Sequence, residues 1–190
     1  MIRYLFLFFA ILIGITSQAQ NIVFEYDSAG NRVKRLSGPD LTPTINLPSA
    51  NFASNGTTKN FTVGLYEVNS AATSANIQFS IIIPTGYTLG FDQTQTTITP
   101  SGAAASVLVK NAEWTVIGTA LGGRKLTLQA NTGIIIPALG NSIIGFTIQR
   151  SSAQPGSTAI MTVTIINDPT HQVYDTVDAN NIYSRVINAL

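Results

Sequence analysis

The chain has 190 residues, 45% hydrophobic and 10% charged, with ten basic against nine acidic side chains. That is room for one domain with a short appendage and enough apolar residues for a core, which excludes a disordered segment. So small and balanced a charge gives no field to gather nucleic acid or an anionic membrane surface, and the lack of cysteine excludes disulfides, thiolate metal sites and a cysteine nucleophile.

Residues 1–19 read as a signal peptide: Arg3, an apolar run over 5–15, then Ser17-Gln18-Ala19 at the positions a signal peptidase reads. The run is shorter than the roughly 18 to 20 residues a bilayer requires, so no stable membrane span is expected after cleavage. Residues 20–38 form an N-terminal β-hairpin or extended arm, with a turn cluster at 27–31 in which Gly30 can take a positive φ. Tyr26-Asp27 followed by Gly30-Asn31-Arg32 resembles one unit of the YD repeats of bacterial surface and toxin-shell proteins. The arm could alternatively add as a strand to another molecule's sheet edge, which would permit self-assembly into a filament.

Ser37-Gly38-Pro39-Asp40 breaks the pattern and opens the main domain, 39–190. A first strand over 41–47 contains Pro43, which cannot donate to a ladder, so an edge position is expected. A polar loop over 51–59 leads to a hairpin: Phe61, Val63 and Leu65 on one face, then Ile77, Phe79, Ile81 and Ile83 on one face. Further extended segments are expected over 87–91, 96–99, 103–110 (Val107 and Val109 sharing a face), 114–116, 124–130 and 134–136. Four more follow at 144–148, 159–165, 172–177 and 182–187. Short strands with turns about every ten residues and no helical period mean two packed antiparallel sheets, an all-β fold of seven to nine strands.

Several short motifs occur in a characteristic order. Glu67-Val68-Asn69 ends a strand, Asn76-Ile77 opens the next, and Ile83-Pro84-Thr85-Gly86-Tyr87 follows. Leu139-Gly140-Asn141-Ser142, Pro155-Gly156-Ser157 and the closing stretch from Asp175 to Asn181 come later. The order resembles the bacterial surface "conserved repeat domain" of unknown function, over about 39–189, with Ser70-Ala71-Ala72 standing where that repeat has glycine. Pro39-Asp40-Leu41 is similar to the opening of the related cell-adhesion-related bacterial domain. The resemblance implies an immunoglobulin-like β-sandwich used as a structural, adhesive or spacer module on exported proteins, with no catalysis.

Chemistry-bearing residues are few. The single His171 follows the turn cluster Asn167-Asp168-Pro169 and has neither a second histidine nor a nucleophile-elbow serine to work with. Glu25, Glu67 and Glu113 fall in different segments and make no glycosidase pair. Trp114 and Tyr87 are a candidate glycan platform, the competing use of Trp114 being core packing. Asp175, Asp178, Asn180 and Asn181 offer hard oxygen donors in one short loop and are a candidate Ca²⁺ site, although Asx residues also cap turns with no metal. Apart from that Ca²⁺, no cofactor is expected.

The expectation is a secreted or cell-surface structural and adhesive module of a bacterium, meeting other surface proteins or glycans. The alternatives are a carbohydrate-binding module and a subunit of a strand-exchange surface filament.

Overall fold

The computed structural model describes residues 23–26, 28–36, 38–169 and 173–190, without the side chains of 23–26 and 32–36. The signal peptide expected at 1–19 and His171 lie outside the described residues. Among the described residues, no helix is long and apolar enough to cross a membrane.

Strands β1 (Val23–Tyr26) and β2 (Arg32–Leu36) pair as an antiparallel ribbon, the expected hairpin, which turns through Gly30 at φ 80°. The main body is an immunoglobulin-like β-sandwich. Its strands are β3 (Leu41–Asn46), β4 (Asn51–Phe52), β5 (Thr58–Glu67), β6 (Gln78–Ile82) and β7 (Tyr87–Gly90). After a small ribbon of β8 (Thr97–Ile98) and β9 (Val107–Leu108) come β10 (Trp114–Ala120), β11 (Lys125–Ala130), β12 (Asn141–Arg150), β13 (Thr158–Ile165) and β14 (Ile182–Ala189). One layer is ordered β3-β5-β12-β7 and the other β10-β11-β6-β13-β14-β4. All pairings within them are antiparallel except the two-residue parallel contact of β14 with β4.

Strict alternation builds the core. Phe61, Val63 and Leu65 from β5 meet Ile144, Phe146 and Ile148 from β12 in one layer; Phe79, Ile81, Met161 and Val163 face them from the other, all within 1% of complete burial. Every second side chain of a strand points to one face, so the two layers close over a single apolar interior. The ring of Phe79 meets Trp114 and Phe146 edge-on, with centroids 5.1 and 6.4 Å apart. As expected, β3 lies at a sheet edge: Pro43, opposite Leu65 in β5, has no partner strand on its other side.

The structure corrects several details. Ten strands, not seven to nine, form the two layers. β5 and β6 are not a hairpin, because each already has two neighbours in a different layer. The chain between them crosses the sandwich, and on the way Thr73 exchanges bonds with Ile136: its N–H donates to Ile136 O (3.0 Å) and its Oγ1 accepts from Ile136 N (2.8 Å). Segment 134–136 forms no strand: Ile134 N closes a turn onto Asn131 O, and Ile136 is bonded to Thr73. The loop expected at 51–59 contains β4, held by the end of β14. Val109 is buried while Val107 is 37% exposed, since β9 is only two residues long and ends before Val109. No strand forms over 173–177, where carboxylates have taken the backbone donors: Asp168 Oδ2 accepts from the N–H groups of Val173 and Tyr174, and Asp175 Oδ1 from that of Val177.

Candidate functional site: a buried acid–amide clamp and an open sheet face

Strands β3 and β5 and the loop before β14 meet at one end of the sandwich, in a group of buried carboxylates and amides. Glu67 continues the inward parity of Phe61, Val63 and Leu65, which forces an acid inside the fold at 2% exposure. Its Oε1 accepts from Asn69 N (2.8 Å) and Asp40 N (3.3 Å), and its Oε2 from Leu139 N (2.8 Å). Three donors on one carboxylate tie the first strand to the entry of β12.

The closing loop completes the clamp. Thr176 donates both its N–H and its hydroxyl to Pro39 O. Asn180 Nδ2 donates to Asp40 Oδ1 and Thr42 Oγ1, each at 2.7 Å, and Asn181 Nδ2 donates to Asp175 Oδ2. Asp175 and Asn181 are both buried. Burial drives the pKa of Asp40 up, with Glu67 adding repulsion, and pushes Asp175 up to about 6, with Asp40 adding repulsion. Among the side chains the structure describes, the one ion pair is Lys110 with Glu113, so no lysine or arginine neutralises Asp40, Glu67 or Asp175.

A pH dependence follows. The folded value of Asp175 lies above its ordinary 3.8, so the folded chain holds this proton more tightly than the unfolded chain does. The resulting stabilisation is complete below pH 3.8 and is lost as pH rises through about 6. In chelator-containing buffer, urea unfolding should show a contribution of about 1.4 kcal/mol gained from Asp175 between pH 7.5 and 5. Asp175→Asn should flatten that part of the profile; an unchanged slope would refute the assignment.

The second feature is the outer face of the six-stranded sheet. Ile160 opposes Val186 across β13 and β14, Thr162 opposes Ser184, and Thr164 opposes Ile182. Ile160, Ile182 and Val186 are 57%, 64% and 50% exposed. Around them stand hydroxyls and amides that bond one another, Thr162 with Ser184 at 3.1 Å and Gln78 with Gln129 at 2.9 Å.

The structure separates the predicted site residues. Trp114 is wholly buried, with Nε1 donating to Ser142 Oγ at 3.0 Å, and Tyr87 is 3% exposed against Phe52. Neither can stack on a sugar, because inward parity puts both rings in the core; the candidate glycan platform is corrected accordingly. Among the described side chains Tyr66, 38% exposed, is the aromatic most open to solvent, at a groove of about 300 Å³ whose lining includes Thr44, Asn46 and Asn141. Gly64 allows this: a Cβ there would stand 2.6 Å from the Tyr66 ring and 2.9 Å from Thr44 Oγ1. Of the candidate Ca²⁺ residues, Asp175, Asn180 and Asn181 come together, whereas Asp178 is exposed and accepts from Asn167 Nδ2 at 3.1 Å. Sequence reasoning missed Asp40 and Glu67. The parity of β5 could have found Glu67; Asp40, 140 residues from Asn180, left no local trace.

No family model matches the chain, and no curated protein matches it. Solved structures do. A CARDB domain from Pyrococcus furiosus, in complex with di-metal ions, is 11% identical over 87% of this chain and 99% of its own, with TM-score 0.43. BcpA, the major pilin subunit of Bacillus cereus, is 13% identical over 89% of this chain and 46% of its own, at 0.41. AvmM, which catalyses macrocyclization in alchivemycin A biosynthesis, is 10% identical over 87% of this chain and 94% of its own, at 0.40. A pilin subunit and a cyclization catalyst at equal distance assign no activity to this chain.

Proposed function

We propose that the chain is a secreted or cell-surface structural and adhesive module of a bacterium, which works by protein–protein contact and not by catalysis. The observation that carries this reading is the outer face of the six-stranded sheet. Its β13–β14 half sets branched aliphatics among uncharged hydroxyls with no charged side chain pointing outward. The centre of a protein interface is depleted in charge and rich in such contact area, and a rigid sheet offers it with little ordering to lose on binding. The order of motifs, which resembles that of the conserved repeat domain, and the signal-peptide pattern of residues 1–19 support the address.

Photo-crosslinking in the native host tests the reading. A photoreactive residue at Val186 in the full chain should give a discrete protein adduct, whether a second copy or another protein. The same residue at Ser54, in an exposed loop, should give none. No protein adduct at Val186, or equal adducts at both positions, would overturn the reading.

A further inference from the structure

The clamp contains two facts that a purely structural knot of hydrogen bonds does not explain. The first is charge: Asp40 lies within electrostatic reach of both Glu67 and Asp175, and none of the three has a basic partner among the described side chains. The second is unsatisfied oxygen. Asn181 is 2% exposed and its carboxamide lies against Asp175, yet its Oδ1 has no hydrogen-bond partner; the buried Oδ1 of Asn180, whose amide spans Asp40 and Thr42, has none either. A buried oxygen without a donor is costly, and two of them on carboxamides whose Nδ2 atoms already serve under-neutralised carboxylates point to a missing positive charge.

We propose that Asp40, Asp175, Asn180 and Asn181 form a Ca²⁺ site that joins the first strand of the sandwich to the loop before its last.

The chemistry fits a hard cation. Carboxylate and amide oxygens are the donors Ca²⁺ takes, six to eight at a time, and Thr42 Oγ1 and water can complete the set. Without the ion, Nδ2 of each asparagine supplies partial positive charge to a carboxylate. Turning each carboxamide over would bring both unpartnered oxygens to the acids, with the cation between them. No three His, Cys, Asp or Glu side chains converge in a metal-holding group among the described residues, so the donor charge is low. Low donor charge places the affinity with the weak sites of extracellular modules, at a Kd of about 0.1–1 mM. Asp178 takes no part.

Calorimetric titration of the chain with CaCl₂ should show one saturable site, with the thermal midpoint raised by several degrees at 5 mM Ca²⁺ (about five or more times that Kd) and restored by EGTA. Asp40→Asn and Asp175→Asn should each weaken binding at least about tenfold, and Asp178→Asn by less than about twofold. In the unaltered chain, the side-chain amide resonances of Asn180 and Asn181 should shift saturably with Ca²⁺, a readout that does not depend on whether any variant folds. No saturable heat, unmoved Asn180 and Asn181 resonances, or a loss in Asp178→Asn matching that in Asp175→Asn would overturn the site.

Discussion

Trp114→Ala is expected to remove about 3–5 kcal/mol of stability, the cost of emptying a wholly buried aromatic position. Phe79 loses its edge-on partner at 5.1 Å, and the buried Ser142 hydroxyl loses the donor that meets it at 3.0 Å. Trp114→Phe keeps most of the volume and should cost about 1–2 kcal/mol, chiefly for the unpaired hydroxyl. Urea unfolding of both variants measures this. A Trp114→Ala chain as stable as the parent would mean that the ring is not core, and would reopen the glycan platform that its burial closes.

Arg150 carries the second large effect. It continues the inward parity of Ile144, Phe146 and Ile148, so a guanidinium is buried at 2% exposure. Main-chain oxygens meet it, with no Asp or Glu side chain among its partners. Nε and Nη2 donate to Ala153 O at 3.1 and 2.9 Å, and Nη1 donates to Phe52 O and Leu190 O, both at 2.8 Å. One side chain thus ties β12 to β4 and to the end of β14. Arg has the donors and the planar fork for this; Lys has one point charge. Arg150→Met should cost about 3 kcal/mol or more, since carbonyls are left without donors, and Arg150→Lys an intermediate amount. A midpoint in urea unmoved by Arg150→Met would show that the guanidinium does not hold these strands together.

Parity made most of the fold legible. Phe79, Phe146 and Val163 are buried as alternation requires, and the proline in β3 marks an edge. Parity does not say which layer a strand joins, and so β5 and β6 look like a hairpin in sequence and lie in different sheets. It also fails where a strand is too short to enforce it, as at Val107. The clamp was half legible. The closing loop's Asx residues are visible as oxygen donors, but whether Asp175 or Asp178 turns inward depends on the bonds from Val177 and Asn167. Asp40 joins them only because β3 returns to the end of the chain. Glu67 and Arg150 were readable, since each is a charge at an inward position of an otherwise apolar strand, and such a charge must find partners or unfold the strand.

A contact surface around Ile160 and Val186, both at least half exposed, would be carried by a fold that does not need either side chain. The double variant Ile160→Lys/Val186→Lys, cross-linked in the native host from a photoreactive residue at Thr162, tests this most directly. The expected result is a thermal midpoint within a few degrees of the parent, because both side chains face solvent, together with loss of the protein adduct that the parent gives from the same position. An unfolded variant, or a folded one that keeps the adduct, would contradict it.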